Sequence, residues 1–249
     1  MALNKAKIIT VTSVKGGTGK TTTVLNIAGI LTELQKKTII IDLDLYSGVI
    51  NASLNLKNNS DIYTLNEDMM NNRFKKIDDY TNKYNEYIDI LPAPIDPRSV
   101  GKINLKFIDI LLSRLQLQYE VILIDTNHII DKFNLIAFDY SDTILYLVTN
   151  DLMDIKNMKN MIAIFEEMEQ SKYQIILNES IAITQDYSAS DIASILERNI
   201  DYVIPQSFYN RNIQKYIYDG TIMITDKPIR NSKGAAVIEK ITKDIFNKE

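Results

Sequence analysis

The chain has 249 residues, a formal net charge of -4, 45% hydrophobic and 24% charged residues, no cysteine and one histidine. That is enough chain for one large core, and the balance is that of an ordinary globular protein. It excludes disulfide scaffolds and thiolate metal sites, argues against zinc on His128, and lacks the strong basic field of a general nucleic-acid binder.

The first apolar run, "IITVTSV" at 8–14, is short and carries two threonines, so it reads as a strand and not as a signal peptide. No run approaches the roughly 18 apolar residues of a membrane span. Residues 20–35 place Val24, Ile27, Ala28, Leu31 and Leu34 on one helical stripe. A second strand, "TIIIDLD", covers 38–44. The segment 45–87 is polar and weakly periodic; it reads as a switch-like loop, a helix around 60–75 and an irregular approach to the strand "IDILPA" at 88–93. After Pro97 a long helix over 98–117 carries Ile103, Phe107, Ile108, Leu111, Leu112 and Leu115. The strands "EVILIDT" (120–126) and "TILYLVT" (143–149) follow, then a helix over 155–169 with Met158, Ile162, Phe165 and Met168. "YQIILNE" (173–179), a capping box from Ser188 to Asp191 and "YVIP" (202–205) close the series. The last stretch, "AAVIEKITKDIFNKE", sets Val237, Ile238, Ile241, Ile245 and Phe246 on one face and mixes Glu239, Lys240, Lys243 and Asp244 on the other. A membrane-surface helix is richer in Lys and Arg, so this one reads as a cover for the core.

Runs apolar on both faces, alternating with helices, predict an α/β fold: a doubly wound, mostly parallel sheet of about seven strands with helices on both sides, in one domain over 1–249. Ligands of such sheets bind at the carboxyl ends of the strands.

At the end of the first strand stands "VTSVKGGTGKTT" (11–22). A strand, a glycine loop and a helix opening on Gly19-Lys20-Thr21 form a phosphate-binding loop. The glycines Gly16, Gly17 and Gly19 let the backbone amides, Thr18 included, approach phosphate oxygens at a helix N-terminus. Lys20 is placed to bridge β and γ phosphates, Thr21 to bind Mg2+, and Thr22 to lie near the α-phosphate. The usual motif has glycine where this chain has Val14, and Lys15 follows it. Further along, Asp42 and Asp44 end the second strand on one face, suited to a magnesium site and an attacking water. Asp125 ends "VILID".

The sequence K-G-G-x-G-K-T-T resembles the deviant Walker A motif of the ParA/MinD family of P-loop ATPases. The resemblance covers roughly residues 7 to 245. It implies an ATPase with ATP and Mg2+ as ligands, and an ATP-dependent homodimer in which Lys15 reaches phosphates bound by the other subunit. It implies that Asp44 lies in switch I and positions water, that Asp125 corresponds to Walker B, that Asn178 recognises adenine, and that the segment from Pro205, with residues 206–208, closes over the base. Asn127 and His128 stand where relatives carry prolines or glycine in switch II. "IDILPAPIDPRSV" and "NDLMDIKNMKNMIAIF" look like the CpaE/TadZ branch, which implies a cytoplasmic protein, polar or peripheral to the inner face of the membrane, with a partner in pilus or secretion assembly. The alternatives are a ParA-like partition ATPase binding DNA, a MinD-like membrane switch, and a nucleotide-bound scaffold with negligible turnover. Residues 211–249 hold eight Lys/Arg and five Asp/Glu, a mild bias that does not favour nucleic acid.

Overall fold

The computed structural model describes residues 5–57, 59–167, 172–179, 187–208 and 213–247. Its strands are β1 (Lys7–Ser13), β2 (Thr38–Leu43), β3 (Asn82–Lys83), β4 (Ile88–Leu91), β5 (Val121–Thr126), β6 (Thr143–Val148), β7 (Tyr173–Asn178) and β8 (Tyr202–Ile204). They form one sheet in the order β3-β4-β2-β5-β1-β6-β7-β8. Every pairing is parallel except β3 with β4. The sheet thus has eight strands where about seven are expected. The extra one is a two-residue edge strand, Asn82–Lys83, too short and polar to carry a periodic signal.

The helices are α1 (Lys20–Glu33), α2 (Ile50–Ser53), α3 (Ile62–Met70), α4 (Leu105–Leu115), α5 (Lys132–Tyr140), α6 (Leu152–Glu167), α7 (Ala189–Leu196), α8 (Ile213–Asp219), α9 (Lys227–Arg230) and α10 (Lys233–Asn247). Alternate strand residues feed opposite faces, as the period of two requires. Ile9, Val11, Ile40, Leu123, Leu145 and Ile176 pack with α1 and α10. On the other face Ile8, Ile39, Ile41, Ile122 and Ile124 meet α3, α4 and α5. Ile144, Tyr146, Val148, Ile175 and Leu177 meet α6 and α7 there.

Three expected elements differ in extent. The helix expected over 98–117 is split: a 3-10 segment, Pro97–Lys102, ends in extended backbone at Ile103, and Asn104 caps a new helix by accepting from the Lys106 amide at 2.9 Å. A side-chain acceptor there satisfies an amide that a continuous helix would pair internally, so the chain restarts. The helix near 60–75 is Ile62–Met70, capped by Asp61 and stopped by Asn71 and Asn72, the latter with φ 55°. The helix expected over 155–169 begins earlier, at Leu152, because Asp151 accepts from the Asp154 amide at 2.9 Å; Met168 lies outside the described residues. The Ser188–Asp191 capping box is present.

Helix α10 spends its apolar face on the core. Ile238 and Ile241 are fully buried and Ile245 is 1% exposed, and Gly234 lies so close to Phe208 that an added Cβ would sit 2.3 Å from it. Among the described residues no helix is long and apolar enough to cross a membrane. Ile241→Ala should therefore lower stability by about 2–5 kcal/mol in urea denaturation. A loss below about 0.5 kcal/mol would mean that the helix rides loosely on the body and is free to serve another surface.

Candidate functional site

Strand β1 lies inside the sheet, between β5 and β6, so its carboxyl end is flanked by theirs: Val11 is in register with Asp125, and Ser13 with Leu147. The loop that leaves it turns on two left-handed residues, Gly17 (φ 74°) and Gly19 (φ 92°). A side chain is disfavoured at both. Gly19 is also the N-cap of α1 and offers no side-chain acceptor. The first amides of α1 are thereby left to an outside anion. Lys20, 8% exposed, points inward and donates to Ser13 Oγ at 3.1 Å; Ser13 Oγ donates in turn to the Lys15 carbonyl at 2.7 Å. Burial pushes the Lys20 ammonium below its ordinary range, opposed by the charges of Asp125, Asp44 and Asp154. Thr18 is buried, and its hydroxyl has no hydrogen-bond partner.

Next to the loop stand two buried carboxylates. Asp42 on β2 and Asp125 on β5 are register partners, each 1% exposed. Asp125 Oδ2 accepts from the Thr21 hydroxyl at 2.6 Å, and Asp42 Oδ2 accepts from the Ile50 amide at 3.1 Å. The second oxygen of each, Oδ1, is buried without a partner. Burial raises both carboxyls: Asp125 up to about 7, and Asp42 well above the carboxylate range, with Asp125 the next cause. Asp44 is half-buried just past the end of β2. Gly48 closes over Asp42, since an added Cβ would lie 2.6 Å from Asp42 Oδ2.

These residues fit Mg2+ and a nucleoside triphosphate. Orphaned buried carboxylate oxygens, a threonine hydroxyl and an open helix N-terminus are what a hard cation and its phosphates satisfy. Among the described residues no group of three or more His, Cys, Asp or Glu could hold a metal alone. A magnesium ion here would draw on Thr21, the two aspartates and the phosphate oxygens together.

The remaining expected site residues are dispersed around this centre. Asn178 ends β7, fully buried, and donates to the Thr18 carbonyl at 2.8 Å. It is thus tied to the phosphate loop itself. Pro205 follows β8, and its carbonyl accepts from the Phe208 amide at 2.9 Å. The expected base-edge role for residues 206–208 does not extend to Phe208, which is 1% exposed in the core against Gly234; residues 209–212 lie outside the described part. Asn127 serves the backbone of its own loop. Its Oδ1 accepts from the Ile129 amide at 2.8 Å and from Asn134 Nδ2 at 2.9 Å, while Asp131 caps α5. A side-chain-bonded turn stands where proline or glycine was the pattern. His128 is exposed and its ring lies beside Gly16. Lys15 is 49% exposed and pairs with Asp151 at 3.3 Å.

Four residues of the site were missed in the sequence. Ser13 and Gly48 carry no signal outside the fold, since both matter only through what strand order brings near them. Asp151 and Asp154 could have been found: Asp, then Asp three residues on, before an apolar stripe is a helix-start pattern.

A family model described as an AAA domain matches residues 6–183. The chain belongs to that family. It is a P-loop ATPase of the ParA/MinD kind. It is 24% identical over 220 residues to an uncharacterised ATP-binding protein of Methanocaldococcus jannaschii, covering 88% of this chain and 82% of that one. With the septum site-determining protein MinD of Synechocystis it shares 26% over 203 residues, 80% of this chain and 76% of the relative. Among solved structures it is similar to a ParA family ATPase from Chlorobium tepidum (TM-score 0.83, 19% identity, 95% and 98% of the two chains). It is also similar to MinD complexed with Mg-ADP from Pyrococcus horikoshii (TM-score 0.78, 21% identity, 96% of each chain). The expected fold class holds, and with it the placing of the loop at the carboxyl ends of a parallel sheet.

In this ParA/MinD-type ATPase the raised carboxyl of Asp125 makes cation binding depend on pH. The free site holds a proton below about pH 7, whereas magnesium requires the carboxylate. Because burial raises both carboxyls, Mg-ATP affinity should rise with pH from 6 to 8, by up to about tenfold per unit, with proton release visible as a buffer-dependent heat in calorimetry. An affinity flat from pH 6 to 8 would contradict a protonated pair.

Proposed function

We propose that the chain is an ATP-hydrolysing dimerisation switch that places a cellular cargo through its nucleotide-bound dimer. The observation that carries this reading is the division of labour between two lysines of one loop. Lys20 is 8% exposed and faces the phosphate site, whereas Lys15 is 49% exposed and lies outside it. A cation held outside its own pocket, on a loop at the sheet's carboxyl edge, is available to phosphates bound by a second copy. Exposed apolar residues follow the carboxyl ends of several strands: Tyr46 and Val49 after β2, Ile95 after β4, Ile129 and Ile130 after β5, and Met153 after β6. Such a rim suits a face that is covered in one nucleotide state.

Within each copy, Gly16, Gly17, Thr18, Gly19 and the first turn of α1 would cradle the phosphates, with Lys20 on the β and γ groups and Thr22 near the α-phosphate. Bound magnesium would neutralise triphosphate charge, held by Thr21 with Asp42 and Asp125. Asp44, half-buried beside that pair, would orient the attacking water. Asn178 and Pro205, with Gln206 and Ser207, would meet the base.

The cargo is argued from surfaces. The apolar face of α10 is buried in the core and its polar face mixes charges, so this helix does not support a MinD-type membrane contact. The pilus or secretion role rests on residues 88–100 and 150–165, and the structure accounts for both stretches as the exit of β4 and the capped start of α6. Positioning or partition of a cargo is the reading kept, through a protein partner or DNA.

Two variants test it. Lys20→Ala should weaken Mg-ATP binding by about 10- to 100-fold in calorimetry, since a buried charge-assisted contact to phosphate is lost. Asp44→Ala should bind ATP normally, hydrolyse it about a hundredfold or more slowly, and persist as a dimer in light scattering. Wild-type affinity in the first variant would remove the phosphate-loop role; wild-type turnover in the second would move the water-positioning role elsewhere.

A further inference from the structure

The chain's one histidine, His128, stands in the turn after β5. Strand order brings that turn beside the phosphate loop. Strand β5 pairs with β1, Asp125 in register with Val11, and the Thr126 hydroxyl donates to the Val11 carbonyl at 3.0 Å. The residues on either side of His128 are held. Asn127, 6% exposed, accepts from the Ile129 amide at 2.8 Å and from Asn134 Nδ2 at 2.9 Å. Asn134 Nδ2 also donates to the Ile129 carbonyl at 2.6 Å. The backbone is thus pinned to α5 before and after His128, and the exposed side chain between is turned to the phosphate loop. Apart from its chain neighbours, a Cβ built on Gly16 would have only the His128 ring within 4 Å, Nδ1 at 3.7 Å and Cε1 at 3.9 Å. The ring therefore covers the free face of a phosphate-loop glycine. Among the described residues no hydrogen bond or ion pair engages it.

We propose that His128 is a specificity-determining residue that donates a hydrogen bond to the terminal phosphate in its own subunit's loop, so that the site favours a nucleoside triphosphate over a diphosphate. The proposal rests on the phosphate-loop reading given above. The side from which the ring arrives selects the phosphate. Its turn leaves the strand that carries Asp125, whose carboxylate holds the Thr21 hydroxyl. A magnesium ion on those two groups bridges β and γ oxygens. The α-phosphate would lie at Thr22, further along α1. A side chain that enters from β5 therefore meets the terminal end of the phosphate chain. An imidazole keeps an N–H in either charge state, so the contact needs no titration. A diphosphate would leave the ring without that partner.

The test is calorimetry at one pH with magnesium, titrating ADP and the β,γ-imido analogue of ATP into wild type, His128→Ala, His128→Leu and Lys20→Ala. Leucine keeps a bulky cover over Gly16 and removes the donor. Both His128 variants should bind the triphosphate analogue about 3- to 30-fold more weakly and change by less than about twofold toward ADP. The same loss is expected when His128→Ala is made in a Lys15→Ala background, where a contact across a dimer is removed. Wild-type affinity for the analogue in both His128 variants, with Lys20→Ala weakened, would overturn the His128 role alone. Equal losses for both nucleotides would overturn it too, by making the ring a general cover of the loop, and so would a His128→Leu variant as tight as wild type. A loss confined to the chain with Lys15 intact would assign His128 to the dimer contact and overturn the contact within one subunit. Wild-type affinity for both nucleotides in Lys20→Ala would overturn the phosphate-loop reading and this proposal with it.

Discussion

Two carboxylates on adjacent strands, buried and in register, set the terms for everything around them. Asp42 and Asp125 cannot both carry charge at 1% exposure without a cation. The surroundings answer that demand in part: the Thr21 hydroxyl, the Ile50 amide and the nearby ammonium of Lys20 each offset some negative charge. One oxygen of each carboxylate is left over. The site is therefore incomplete by construction, and a divalent cation with its phosphates would complete it. The Ile50 contact adds a further link, since α2 begins there and the segment after β2 is anchored to the carboxylate it would help to saturate. A change of charge at the pair is felt directly by that segment.

The phosphate loop and the loop after β6 form a second system, one strand away. Lys20 turns inward and Lys15 outward, and Ser13 touches both, accepting from one side chain and donating to the carbonyl of the other. The inward and the outward lysine thus share one hydroxyl as a neighbour.

Much of this was legible in the sequence, for identifiable reasons. Strands buried on both faces announce themselves as Ile- and Val-rich runs, and the bounds of β2 and β5 fall within a residue of expectation. The loop was legible because glycine, lysine and threonine at that spacing serve one chemistry. The core-facing reading of α10 was legible because its polar face mixes charges, and Ile241 is indeed fully buried. Where the reading failed, the deciding contact was local and polar or distant and topological. Asn104 restarts a helix that apolar periodicity alone would continue. Asn127 replaces proline or glycine by bonding its own loop. The Lys15–Asp151 pair and the cover of Gly48 over Asp42 depend on which strands are neighbours, and spacing along the chain does not encode that.

The central claim is that Lys15 leaves its own subunit to meet phosphates held by another. The most direct measurement is a crystal structure of the Asp44→Ala variant with magnesium and a non-hydrolysable ATP analogue. The account predicts two copies face to face, with Lys15 Nζ of each at about 3 Å from phosphate oxygens in the loop of the other, and its contact with Asp151 gone. A nucleotide-filled single copy with Lys15 still on its own Asp151, or turned onto its own phosphates, would contradict it.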